Sequence, residues 1–350
     1  MITLHIFNPE HDIALASGLS NFTAPHAGRQ LRHDLGWLPA LWANGDDIVL
    51  VDDVEKARRA ISRRRVKPCL LAERQQLASL PIGHIEPWGW DRAVRAQLLR
   101  MGINEGLIPT EAALDEIRQL SHRRTAALLL PQLRQEGTVG SAYECTTEEQ
   151  VNELVNRYGK VVMKAPWSSS GRGIRYLSAI TSNLSPLNGW LRNILAAQGS
   201  VMVEPYYNKV KDFGMEFSSD GKGTVSYLGL SLFHTENGAY TGNIIATEQA
   251  KREILGRYLP IELLDTTQQQ ISQYLGKMLK GKYQGPLGID MMVVPPSTLH
   301  PCVEINLRRT MGHAALALER RLNPDSDNEL RHVMRIEYTD KRYRLRIRRI

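Results

Sequence analysis

Cysteine is scarce in this chain: Cys69, Cys145 and Cys302 are the only three in 350 residues, far apart and without CxxC spacing. That usage argues against a disulfide scaffold and points to a reducing compartment. No apolar run approaches the roughly 18 residues that a membrane helix requires, so no membrane role is expected. The opening stretch Met1–Phe7 is short, β-like and without a basic n-region, and does not read as a signal peptide. A cytoplasmic location is expected, and the Asn21-Phe22-Thr23 sequon then carries little weight. Zinc-finger spacing, RNP-type aromatic motifs, internal repeats and low-complexity segments are also missing, which makes nucleic-acid binding an unfavoured reading.

What is present is ordinary for a soluble globular protein: 42% hydrophobic and 23% charged residues. The length suits two or three packed lobes. The net charge of +7 is local rather than general. Seven basic residues and no acid lie between Lys56 and Lys67, and six basic residues and one acid lie between Asp340 and Ile350. The rest of the chain is therefore acidic. The first run has helical spacing. The second, Tyr343-Arg344-Leu345-Arg346-Ile347-Arg348, alternates like an edge strand with one charged face. A solvated helix face and a protected edge are favoured over an anionic partner surface.

Three stretches separate by pattern. Residues 1–115 read as a small open α/β unit, with strands at Ile2–Phe7, Asp47–Val51 and Cys69–Leu71. Pro87–Asp91 reads as a turn, with Asp91 capping a helix over Arg92–Met101. Residues 116–200 follow the order helix, strand, helix, strand, with Thr146 or Thr147 capping a helix that runs to Tyr158. From 201 onward come Val201–Glu204, a strand over Tyr227–Phe233, a helix over about Asp265–Lys280, and strands at Leu287–Val294 and Cys302–Ile305.

Three elements carry chemistry. Lys164 ends the strand Lys160–Lys164 and is followed by Ser168-Ser169-Ser170-Gly171-Arg172-Gly173. A cation and a run of backbone N–H groups can surround phosphates there. The loop matches neither a Walker A nor a dinucleotide fingerprint, and alone it would be an ordinary turn. Glu304 and Asn306 share one face of a strand, and Asp290 can lie beside them if the two strands pair through a turn near Pro295–Pro301. Two carboxylates and an amide oxygen are hard ligands suited to Mg²⁺. Finally, Val201–Pro205 could form a backbone hinge for a base, leaving Asp212 free to accept from ribose hydroxyls.

In this order, over residues of about 120–315, these elements resemble the ATP-grasp superfamily. The resemblance implies an α/β (α+β) ATP-grasp fold, two α+β lobes clasping ATP behind a small N-terminal α/β domain. It divides the chain into 1–115, a small lobe at 116–200 and a large lobe at 201–350. By the same resemblance Lys164 holds the α- and β-phosphates while Ser169, Ser170, Gly171 and Gly173 close over them. Val203, Glu204 and Tyr206 meet adenine, and Asp212 meets ribose. Asp290, Glu304 and Asn306 hold Mg²⁺, expected as two ions, with Mn²⁺ a substitute. Arg123, or Arg124, stands where most members carry a lysine, and arginine changes the geometry there. Glu304-x-Asn306-x-Arg308 is similar to the run of carboxylase-type members in which the arginine faces the acceptor, and Arg308 is the expected catalytic cation together with Lys164. Tyr240 and Asn243, within a polar glycine-rich stretch, and Glu10, His11, Asp12 and Arg309 are candidate substrate contacts. His11 by itself reads as structural.

The activity implied is a ligase joining a small-molecule carboxylate to an amine or similar nucleophile through an acyl phosphate. A phosphotransferase would use the same residues, and a non-catalytic nucleotide- or anion-binding protein is a further alternative. The acceptor is not legible, and a homodimer is compatible with the sequence.

Overall fold

The computed structural model describes every residue except 63–68, 169–172, 180–184, 237–238 and 323–330. The strands in chain order are β1 (Thr3–Ile6), β2 (Ile48–Leu50), β3 (Leu70–Ala72), β4 (His84–Pro87), β5 (Tyr143–Cys145), β6 (Lys160–Lys164), β7 (Ile174–Ser178), β8 (Val201–Pro205), β9 (Lys211–Asp220), β10 (Val225–Glu236), β11 (Ala239–Ile245), β12 (Gln284–Val294), β13 (Thr298–Asn306), β14 (His332–Thr339) and β15 (Arg342–Arg349). Two compact units emerge. Unit 1 gathers Met1–Gln119, Thr241–Thr247 and Leu307–Ile350, and unit 2 gathers Leu120–Tyr240 and Glu248–Asn306.

Unit 1 is built on a sheet of order β3-β2-β1-β4 in which every pairing is parallel. Both faces are covered, as parallel sheets require. Leu4, Ile6, Ile48 and Ile85 pack with Val94 and Leu98 on one side. Phe7, Val49, Val51 and Trp88 pack on the other with Ala314, Leu318, Met334 and Leu345. That second cluster explains why the C-terminal stretch Leu307–Ile350, which the sequence pattern groups with residues 201 onward, clusters with the N-terminal residues. β4 was not among the expected strands, and its four residues are too few to show a period. Helices α1 (His11–Ser17), α2 (His26–Leu35), α3 (Val54–Ser62) and α4 (Arg92–Arg100) follow or precede the strands. Asp91 caps α4 as expected: it is extended, and its carboxylate accepts from the Val94 N–H at 2.8 Å. The basic run ending the chain forms β15, antiparallel to β14.

Unit 2 contains an antiparallel sheet of order β5-β8-β6-β7. Val161, Met163, Val201 and Val203 are fully buried within it. Thr147 caps the helix Glu148–Tyr158 through the Gln150 N–H. Strands β13, β12, β9 and β10 pair antiparallel in that order, with the helix Ile261–Leu279 burying its apolar residues in the same unit. In the polar glycine-rich stretch, residues up to Glu236 end β10 and Ala239–Asn243 open β11. No helix among the described residues is long and apolar enough to cross a membrane.

Candidate nucleotide and metal site

The site in unit 2 starts from the register of three strands. Asp290 of β12 lies directly opposite Glu304 of β13, and Gly288 lies opposite Asn306. Alternation then puts Asp290, Glu304 and Asn306 on one face. In β9, Gly214 stands opposite Asp290, and Glu216 opposite Gly288. A Cβ at Gly214 would come within 3.0 Å of the Ile289 carbonyl and 3.5 Å of Asp290 Oδ1, so the glycine makes room for that carboxylate. Glu216, which sequence reasoning missed, therefore joins the same face and is 3% exposed. A three-strand register is the signal that finds it, and no single segment contains it.

Arg123 ties this face to the lysine strand. It is buried, and its Nη2 lies 2.9 Å from Glu304 Oε1. Its Nε donates to the Ala165 carbonyl at 3.0 Å, and Nη2 also reaches Ser168 Oγ at 3.2 Å. Arg124 instead turns its half-exposed side chain to Glu144. Ala165 follows Lys164, and its N–H donates to the Gly173 carbonyl, closing the loop at both ends. A side chain at Gly173 would fall 2.4 Å from Ser168 Cβ, so this closure requires glycine. Ser169, Ser170 and Gly171 lie outside the described residues.

Lys164 and Glu204 are both 5% exposed and form an ion pair, with Nζ 2.6 Å from Oε1 and 2.7 Å from Oε2. Burying such a pair costs desolvation that the mutual attraction offsets, and removing one partner would strand the other. Val203 is paired with Tyr143 on one side and Met163 on the other, so its backbone lies inside the sheet rather than open to a base. β5 stops opposite Val203, and the edge beyond it belongs to Glu204 and Pro205. Tyr206 donates its N–H to the Lys160 carbonyl and lies under the Lys160 ammonium, 3.6 Å from ring centroid to Nζ. Asp212 already accepts at one oxygen, its Oδ2 taking bonds from Lys209 Nζ at 2.5 Å and Thr235 Oγ1 at 2.7 Å.

Two further groups report the local field. Burial first, then Asp290, Glu204 and Glu304, push the Cys302 thiol up, while Lys164 opposes them. His300, which the sequence did not single out, is fully buried, and neither ring nitrogen has a hydrogen-bond partner among the described residues. Burial lowers its pKa to about 4 against the pull of Glu204, so it is neutral at pH 7.

Among the described residues no group of three or more His, Cys, Asp or Glu is spaced to hold a metal ion. The candidate set is two facing carboxylates and one amide oxygen. Arg123 contacts one of the carboxylates, and the donors are hard oxygens. That combination fits Mg²⁺.

The remaining predicted residues, Tyr240 apart, belong to unit 1. β13 ends at Asn306, so Arg308 lies beyond the end of the strand. Its Nε and Nη2 donate to the two Asp12 oxygens, each at 2.8 Å. Arg309 donates to Glu86 at 2.6 Å, and its N–H donates to the Trp88 carbonyl. Burial works to raise Glu86, but Arg309 outweighs it and holds that carboxyl below its ordinary range. His11 is 1% exposed and bonded to Asp91 at 2.9 Å, which is the structural role expected of it. Glu10 pairs with Arg32. Asn243 is buried in β11 opposite Met334 of β14, while Tyr240 lies in unit 2, where burial pushes its phenol up.

No family model and no curated protein sequence matches the chain. Solved structures do. N5-carboxyaminoimidazole synthetase from Staphylococcus aureus complexed with ADP matches with a TM-score of 0.52 at 13% identity, over 96% of this chain and 82% of that one. A biotin carboxylase complexed with a β,γ-ATP compound, from Campylobacter jejuni, matches with 0.54 at 13%, over 95% and 75%. The biotin carboxylase domain dimer of Hydrogenobacter thermophilus 2-oxoglutarate carboxylase, with MgADP and bicarbonate, matches with 0.52 at 14%, over 95% and 74%. The chain has the ATP-grasp fold.

Proposed function

We propose that the chain is an ATP-dependent ligase that joins a carboxylate to an amine or similar nucleophile through an acyl phosphate. The observation that carries this reading is the facing pair Asp290 and Glu304, with Arg123 joining Glu304 to the Ala165 carbonyl next to Lys164. That the matched proteins were solved with ADP, MgADP or a β,γ-ATP compound supports a nucleotide here.

Asp290, Glu304 and Asn306 would hold Mg²⁺, which when bound neutralises phosphate charge. Lys164 would exchange part of its contact with Glu204 for phosphate oxygens, and Arg123 would keep Glu304 oriented. The acceptor carboxylate oxygen attacks the γ-phosphorus, the bond to the β-phosphate oxygen breaks, and ADP leaves. The amine then attacks the acyl carbon, phosphate departs, and the amine proton passes to solvent. Such chemistry depends mainly on positioning and charge stabilisation. Arg308 keeps its proposed acceptor role only by exchanging Asp12 for the anion.

The test incubates the protein with MgATP, candidate acids and hydroxylamine. Hydroxamate formation with ADP release is expected. A stable phosphorylated product without hydroxamate would overturn the ligase reading in favour of a phosphotransferase.

A further inference from the structure

Unit 1 contains a cavity that the nucleotide chemistry does not use. Its sheet order β3-β2-β1-β4 reverses direction between β1 and β4, and open parallel sheets bind ligands outside the carboxyl ends of their strands at such a point. A cavity of about 390 Å³ lies there, lined by residues that follow all four strands and by α2 and α4. Its charged lining is Glu10, Arg29, Arg32, Asp52, Arg74, Asp91 and Arg100.

The polar groups of this lining are incompletely used. Glu10 is 6% exposed and gives one oxygen to Arg32, while its other oxygen, Oε2, has no hydrogen-bond partner among the described residues. The same holds of the buried Arg32 Nε. Leaving such groups unsatisfied is unfavourable, and each defines what would satisfy it. An ionised carboxylate oxygen needs a donor, and a guanidinium N–H needs an acceptor. Arg74 lies 3.6 Å from Asp52. Arg29 donates to the Ala24 carbonyl, and neither it nor Arg100 has a carboxylate partner among the described residues. Asp91 is already bonded to His11 and Asn8.

We infer that this cavity binds a free α-amino acid, with its carboxylate on the guanidinium groups and its ammonium on Glu10 Oε2. The lining calls for an anion and a cationic donor close together, and an amino acid carries both on one carbon. A phosphate ester would satisfy the arginines, but its acceptor-only dianion would repel Glu10. A base or other flat apolar group finds few apolar partners here, chiefly Phe22 and Val94. The volume is that of a small-ligand site. This adds the nucleophile to the ligase reading and rests on it for that role, while binding itself requires no ATP.

The experiment is calorimetric titration and thermal shift of the full chain, without nucleotide, against the proteinogenic amino acids one at a time. Des-amino analogues, amino-acid amides and sugar phosphates form the comparison arms. At least one amino acid is expected to saturate a single site and raise Tm. Its des-amino and amide analogues should bind about tenfold or more weakly, the effect of losing one charged hydrogen bond. Glu10→Gln should weaken binding by a similar factor. Ala93→Leu, on α4 and lining the cavity, should abolish binding by filling it, with the circular dichroism unchanged. The inference is overturned if no amino acid binds, if both variants bind as the parent does, or if only sugar phosphates bind. Amino-acid binding without any ATP-dependent product would sink the ligase reading and leave this one standing. Hydroxamate formation by a protein that binds no amino acid would do the reverse.

Discussion

Two arginines, one in each unit, hold carboxylates in different ways. Arg308 of unit 1 meets Asp12 through two parallel bonds, each carboxylate oxygen taking one. Arg123 of unit 2 shares its guanidinium among Glu304, the Ala165 carbonyl and Ser168, while Glu304 faces a second carboxylate, Asp290. Unit 1 thus sets a guanidinium on one carboxylate through a two-bond fork, and unit 2 sets one beside a face that carries two opposed carboxylates. Such a fork stabilises whatever it joins. Two carboxylates facing each other across paired strands form a set of hard oxygen donors, the kind that suits Mg²⁺.

The difference can be broken most sharply at Glu304. Glu304→Gln keeps the shape and most of the Arg123 contact but removes the charge. ADP release should fall by roughly a hundredfold or more, while the far-ultraviolet circular dichroism stays unchanged. A fully active Glu304→Gln protein would remove the metal face from the proposal.

Acid gives the next largest effect, again in unit 2. The folded-state pKa of His300 is about 4 and lies below its unfolded value of 6.5. Below pH 6.5 the unfolded chain therefore binds a proton that the folded chain refuses, and stability falls as the pH drops from 6.5 towards 4. The loss should be on the order of 3 kcal/mol across that window. His300→Leu should flatten this part of the pH profile in urea titrations and leave stability at pH 7 equal or higher, because it removes two unsatisfied buried nitrogens. An unchanged acid limb in the variant would show that His300 does not titrate as its burial requires.

In unit 1, Asp12→Asn should lower stability by about 1–2 kcal/mol in urea unfolding, since it weakens a charge-assisted pair whose side chains are 16% and 17% exposed. A loss near zero would place the pair with ordinary surface ion pairs and blunt the contrast with Arg123. The smallest effect is expected at the cap of the helix Glu148–Tyr158, where Thr147→Ala should cost about 0.5–1 kcal/mol by the same measurement.

Much of the local structure was legible. The strand Lys160–Lys164 and the caps at Asp91 and Thr147 stand where the sequence placed them. The metal face was half legible: alternation alone aligns Glu304 with Asn306, and the prolines before Thr298 suggested the turn that brings Asp290 across. Other points were missed for identifiable reasons. Arg308 was placed on the ligand face by assuming that β13 continues, but the strand stops at Asn306. Asp212 was read without its partners, Lys209 three residues earlier and Thr235 on the next strand, which both reach one of its oxygens. His300 gave no signal, because an isolated histidine in an apolar strand reveals neither its burial nor its missing partners.

By itself the sequence determined what depends on a few consecutive residues: where helices begin, which strand residues share a face, and that a lysine ends one strand. Only the tertiary structure decided the pairings made across long stretches of chain. Those are Arg123 on Glu304, Glu216 in the row of Asn306, Asp12 on Arg308, and the C-terminal hairpin on the N-terminal core. The physical reason is that register and packing are chosen by which apolar faces cover one another. A polar side chain then meets whatever that choice sets opposite it.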